Sequence, residues 1–118
     1  GGGGGGIFNE GTLTVVNSFV VNNSSTSLAG GISNEKTLFL INTTISDNRG
    51  VGLANYASNA TSTILSSTIS YNLGGGIYNF FGTLGLNNTT ISSNLDRVDD
   101  GGAGIFVNEG LVNVTNST

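Results

Sequence analysis

Apolar and polar residues alternate along this chain in short runs, and the runs return in the same order every 22 to 25 residues. The first set is Ile7-Phe8-Asn9, Thr12 to Val16 and Phe19 to Val21. A period of two over two to five residues predicts short strands, each with one face turned inward. Leu13 and Val15 recur as Leu38 and Leu40, Ser62 and Ile64, Leu84 and Leu86, and Val112 and Val114. Val20 recurs as Ile45, Ile69 and Ile91, at spacings of 25, 24 and 22, and Asn23, Asn48, Asn72 and Asn94 keep the same spacings. A second polar column runs Asn17, Asn42, Ser66, Asn88 and Asn116. Each set opens on glycine before an apolar residue: Gly5-Gly6-Ile7, Gly30-Gly31-Ile32, Gly52-Leu53, Gly75-Gly76-Ile77 and Gly104-Ile105. The cleanest copy spans Gly74 to Asn94.

Such a period is too short for propeller blades and carries no helical spacing. Strands this short do not stand as independent hairpins. Stacked as coils they pair in parallel about 4.8 Å apart, with equivalent side chains in columns. The chain is therefore predicted to be all-β, a parallel β-helix (solenoid) of about five coils of 21–28 residues. Residues 1–118 form one segment, with coils at about 4–29, 30–50, 51–73, 74–100 and 101–118. Apolar columns fill the interior, asparagines form an amide ladder, and glycine serves corners that need positive φ or close backbone approach. The third coil is the poorest copy, with Ser62 in an apolar column and Ser66 in an asparagine column. Leu95 to Asp100 reads as an inserted loop, and Val107 as an extra residue forming a bulge. The rival fold, a meander sandwich with tight turns, requires antiparallel pairing.

Composition narrows the function classes. There are 20 glycines and no proline, cysteine, histidine, methionine or tryptophan, while 36% apolar content and a mean hydropathy of +0.14 argue against disorder. Three basic against seven acidic residues give a net charge of −4, so neither a nucleic-acid partner nor attraction to anionic lipid is expected. Without cysteine there is neither a disulfide framework nor a thiolate metal site. The longest apolar run, Leu38 to Ile41, is far short of a membrane span. The chain opens on Gly1 to Gly6 and stops at Thr118, in mid-repeat. Both ends read as cuts, which predicts a solenoid without caps and flanking coils in the same parent chain.

The unit GGGIFNEGTLTVVNS, together with GGGIYN and TTISSN, resembles the right-handed parallel β-helix repeat of the pectin-lyase-like superfamily. It is similar in particular to the glycine- and asparagine-rich repeats of large bacterial surface proteins, including autotransporter passengers and polymorphic outer-membrane proteins. The latter carry G-G-A-I and F-x-x-N tetrapeptides. Phe19 to Asn22 fits F-x-x-N, whereas Ile45 to Asn48, Ile69 to Asn72 and Ile91 to Asn94 give I-x-x-N, and G-G-A-I is present only as G-G-I or as GGAGI at Gly101 to Ile105. The resemblance implies a non-catalytic structural or adhesive segment of a secreted or cell-surface protein, exposed at the bacterial outer membrane or outside it, with host-surface or glycan ligands. The alternative is a set of scaffold coils from a polysaccharide lyase or glycoside hydrolase whose catalytic residues lie elsewhere.

Catalysis on such a fold requires titratable groups aligned on one face within reach of one substrate. This chain has no histidine, one lysine and two arginines. Asp47 and Arg49 share a corner but no further acid follows in their column, so a solvated corner is expected. Glu10, Glu35 and Glu109 follow equivalent asparagines; stacked carboxylates could hold a hard cation such as calcium, but Lys36 relieves their repulsion more simply, Ala57 and Phe80 interrupt the column, and solvated turn residues are expected. Asp96, Asp99 and Asp100 stand beside glycine but match neither calcium-loop spacing. Gly1 to Gly6 is no phosphate loop, since no Lys-Ser/Thr follows. Thr44, Thr68, Thr90 and Thr118 align behind Phe19, without the regular T-x-T of an ice-binding array. No catalytic residue, metal ligand or cofactor is assigned.

Overall fold

Alternation places every second side chain inside, and the backbone shows where each column leads. A computed structural model describes residues 5–96 and 103–118. One sheet stacks β1 (Ile7–Asn9), β4 (Ser24–Asn34), β7 (Arg49–Asn55), β10 (Ile77–Asn79) and β13 (Ile105–Val107) in that order. The second stacks β2 (Thr12–Val16), β5 (Thr37–Ile41), β8 (Thr61–Leu65), β11 (Thr83–Asn87) and β14 (Leu111–Thr115). The third stacks β3 (Phe19–Val21), β6 (Thr44–Ser46), β9 (Thr68–Ser70) and β12 (Thr90–Ser92). Each strand pairs with its counterpart one coil away, and all these pairings are parallel. The antiparallel meander is excluded, and the described residues form an all-β solenoid of about four turns without helix.

The registers are those of the repeat. Ile7, Ile32, Leu53, Ile77 and Ile105 form one rank. Leu38 and Leu84 flank Ser62, and Leu40, Ile64 and Leu86 form the next rank. Val20, Ile45, Ile69 and Ile91 close the interior from the third sheet. These side chains form one core cluster, with the middle coils fully buried, and each buried Leu or Ile contributes on the order of 1.5–3 kcal/mol. Ser62 sits in that core because its hydroxyl is bonded. It donates to Asn55 Oδ1 at 2.9 Å and accepts from Asn34 Nδ2 at 3.1 Å.

The second-to-third-sheet corner has two residues in each coil: Asn17-Ser18, Asn42-Thr43, Ser66-Ser67 and Asn88-Thr89. Its first residue is left-handed, with φ between 48 and 52°, a conformation that asparagine tolerates better than most residues. Asn22, Asp47, Tyr71 and Ser93 are left-handed at the next corner. Glycine is thus not the main carrier of positive φ at these corners. Gly31, Gly52 and Gly76 are needed for close approach instead. A Cβ on any of them would collide with the next coil's glycine carbonyl, an interior isoleucine and a ladder asparagine.

Two expectations require correction, and a third falls largely outside the described residues. The strands are not all two to five residues long: β4 has eleven and β7 seven. β4 absorbs extra residues through register shifts between Ser24 and Ala29 and between Ala29 and Ile32. Val107 is not a bulge, because Tyr78 and Asn79 pair in unbroken register with Phe106 and Val107. The additional residue lies in the following turn, Asn108 to Gly110. Of the loop read at Leu95 to Asp100, only Leu95 and Asp96 are described; Asp99 and Asp100, like Gly1 to Gly4, lie outside the described residues.

Candidate functional site

Two amide ladders and one hydroxyl ladder position the surface. Asn9, Asn34 and Asn55 each donate from Nδ2 to Oδ1 of the next, Asn79 ending the series, at 2.8–3.0 Å. The second ladder joins Asn23, Asn48, Asn72 and Asn94 at 2.9–3.2 Å. In that ladder each Oδ1 also accepts the backbone N–H of the asparagine one coil before. Ser18, Thr43, Ser67 and Thr89 each donate backbone N–H to the hydroxyl of the next in the column, which ends at Ser117. Each of these hydroxyls in turn donates to the carbonyl two residues before it. Buried polar groups are thereby satisfied in most coils, as a low-dielectric interior demands. The asparagine ladder was expected; the hydroxyl ladder was missed, since serine and threonine are frequent throughout the chain.

The first ladder explains how the turn from first to second sheet can vary. This turn is Glu10-Gly11, then Glu35-Lys36, then Tyr56 to Ala60, then Phe80 to Gly82, then Asn108 to Gly110. Whatever its length, the ladder asparagine donates to the carbonyl of the turn's last residue, namely Gly11, Lys36, Ala60 or Gly82. The turn is clamped at its base and its middle is free to grow.

These turn lengths correct the glutamate column. Backbone bonds align Glu10 with Glu35, Tyr56, Phe80 and Asn108. Tyr56 therefore interrupts it, not Ala57, and Glu109 stands one place further along, bonded to the Phe80 carbonyl. Two carboxylates stack, not three. Among the described residues, no three acidic side chains converge on one point.

Where the turn is longest, a recess of about 400 Å³ opens, lined by Glu35, Tyr56, Ala57, Ser58 and Phe81. Tyr56 and Phe81 remain 47% and 44% exposed. Other rings prop them from behind. Phe80 lies 5.2 Å from Tyr56, 6.4 Å from Phe81 and 6.3 Å from Phe106, between ring centroids, and the buried Tyr78 ring packs on Phe80 and Phe106. The repeat pattern does not single out these aromatics. The placing of Tyr56 and Phe81 around one recess depends on turn lengths that strand periodicity does not report.

A second groove, about 430 Å³, lies at the corner between the third sheet and the first, lined by Asp47, Arg49, Tyr71, Leu73, Ser93 and Leu95. Asp47 and Arg49 do share this corner, as their spacing implied. The Asp47 carboxylate accepts from the Ser46 hydroxyl at 2.9 Å, and Tyr71 occupies the same corner one coil on, where no second acid stands. Phe19, Thr44, Thr68 and Thr90 align as expected. A further threonine rank, Thr12, Thr37, Thr61 and Thr83, lies at the start of the second-sheet strands. Comparisons of the chain with protein-family models, with curated proteins and with solved structures gave no match.

Proposed function

We propose that this solenoid is a non-catalytic structural and adhesive segment of a secreted or cell-surface protein. In this reading it is a right-handed coil of the pectin-lyase-like kind, related to the glycine- and asparagine-rich repeats of bacterial surface proteins. Right-handedness follows from the strong preference of parallel crossover connections. The observation that carries the reading is that the corners are tied coil to coil by side-chain ladders as well as by backbone sheets. Nearest-neighbour stacking of that kind makes a stiff element, and variable turns along one edge supply contact surface.

Force spectroscopy on the chain tethered at both termini tests the structural part. Coils are expected to release one after another, each adding about 80 Å of contour length. A single featureless extension at low force overturns it. A rival reading, distinct from scaffold coils whose catalytic residues lie elsewhere, places catalysis in this chain, in the groove that holds Asp47, Arg49 and Tyr71 together. Release of reducing ends or unsaturated sugars from polysaccharide by the purified chain, abolished by Asp47→Asn, would establish it and remove the non-catalytic reading.

A further inference from the structure

We propose that the recess between the Tyr56–Ala60 turn and Phe81 is a binding site for a neutral pyranose unit of a glycan, the contact point of the adhesive surface on whose reading it rests. Its volume, about 400 Å³, falls within the range of ligand pockets, roughly 300–1,000 Å³. Its lining combines two half-exposed ring faces, Tyr56 and Phe81, with the Glu35 carboxylate, the Ser58 hydroxyl and the small Ala57. A pyranose presents the complementary surface: an apolar C–H face to lie on a ring, and rim hydroxyls to hydrogen-bond. Aromatic rings supply large, rigid apolar area at little entropic cost, and they are propped here by Phe80, Tyr78 and Phe106. The carboxylate accepts from sugar hydroxyls in charge-assisted bonds, and the serine both donates and accepts.

Charge and ring geometry narrow the ligand. Among the described residues no basic side chain lines the recess and Glu35 does, in a chain of net charge −4, so uronates, sialic acids and sulfated sugars are repelled. An organic cation is the rival ligand, since Glu35 and a ring face would both attract it, and a quaternary ammonium probe separates the two. Tyr56 and Phe80 pack at 5.2 Å between centroids, and Phe80 also lies against Phe81. Phe81 and its supporting rings form a platform. The five-residue turn raises Tyr56 and Ser58 beside it, and the clamp from Asn55 to Ala60 holds the turn's end.

Calorimetric titration with cellohexaose, chitohexaose and xylohexaose tests the assignment, with polygalacturonate and tetramethylammonium as charged probes. At least one neutral oligosaccharide is expected to bind. Phe81→Ala and Tyr56→Ala should weaken it by about tenfold or more, and Glu35→Gln by less. Phe81→Leu, which keeps apolar bulk without a ring, should weaken it like Phe81→Ala while leaving the melting temperature unchanged. Tyr71→Ala, in the other groove, should have no effect. The proposal is overturned if no neutral oligosaccharide binds at about 10 mM, if Phe81→Leu binds like the parent, or if either charged probe binds as well as the sugars. Binding that survives both ring substitutions removes this recess and leaves the adhesive reading standing. Cleavage of the bound oligosaccharide removes the non-catalytic reading and leaves the recess.

Discussion

Two turns of the same coil obey opposite rules. The corner from second to third sheet has two residues in every coil, a left-handed first residue and a hydroxyl at the second. The turn from first to second sheet runs from two residues to five and carries glutamate, lysine, tyrosine or phenylalanine. Both are held by side-chain ladders, so the presence of a ladder does not explain the difference. What differs is where the ladder grips. At the first corner the hydroxyl on the second residue donates to the carbonyl two residues back and accepts a backbone N–H of the neighbouring coil, so an added residue would displace it from both. At the variable turn the asparagine lies before the turn and reaches over to its final carbonyl. Residues between those two points face water and are free to change in number and kind.

The strongest test inserts one residue into each. Glycine inserted between Ser66 and Ser67 displaces the hydroxyl from its column. It also shifts Thr68–Ser70 by one residue, which turns the fully buried Ile69 outward. The expected cost exceeds about 4 kcal/mol, a large share of a small domain's stability. The same glycine between Ser58 and Asn59 lengthens a solvated loop and should cost under about 0.5 kcal/mol. Urea midpoints of the two variants decide the matter, and equal midpoints would remove the distinction.

A smaller effect is expected from truncating one ladder member without changing the chain's path. Asn72 is fully buried; it accepts from the Asn48 backbone N–H at 3.2 Å and side chain at 2.9 Å, and donates to Ile45 O and Asn94 Oδ1 at 3.1 and 3.0 Å. Asn72→Ala removes all four bonds, while Asn48 Nδ2 keeps Val20 O and Asn94 Oδ1 keeps the residue-72 backbone N–H. Its expected destabilisation is about 3 kcal/mol, since each buried group left unsatisfied costs roughly 1–3 kcal/mol and the site relaxes in part. Asn59→Ala, on the exposed middle of the long turn, should shift stability by no more than about 0.5 kcal/mol. A melting-temperature loss for Asn72→Ala no larger than that for Asn59→Ala would show that the ladder merely decorates a stack held by its backbone.

The same contrast explains what could be read from the residues alone. Strand columns were legible because alternation is local and the interior accepts only a narrow set of side chains, so Val20, Ile45, Ile69 and Ile91 announce themselves. Ser62 was legible as an exception, though not its remedy, because its bonds to Asn55 of the same coil and Asn34 of the coil before form only once the chain is coiled and stacked. The near-constant spacing concealed compensating lengths. β4 is extended where the turn of its coil is short, and β7 is followed by the long Tyr56–Ala60 turn. Glu109 was matched to Glu10 and Glu35 on that false constancy. The aromatic recess was invisible for the same reason, since Tyr56 and Phe81 are neighbours only once the turn lengths are known.

Least in magnitude, and most specific to the corner, is a substitution expected to stabilise. Ser66 is the exception among Asn17, Asn42 and Asn88, yet it is held at φ 51° like them. Left-handed backbone costs most residues about 1–2 kcal/mol, and asparagine recovers part of that through local hydrogen bonding. One coil pair shows the further bond available: Asn42 Nδ2 donates to Asn17 Oδ1 at 2.7 Å. Ser66→Asn should therefore add about 0.5–1 kcal/mol and raise the melting temperature by about 2–5 °C. The same change at Ser58, in the variable turn, meets no such backbone demand and should leave the melting temperature where it was. If Ser66→Asn gains nothing, the asparagines of this column are not there for the left-handed corner, and the rule separating the two turns must rest on the hydroxyl ladder alone.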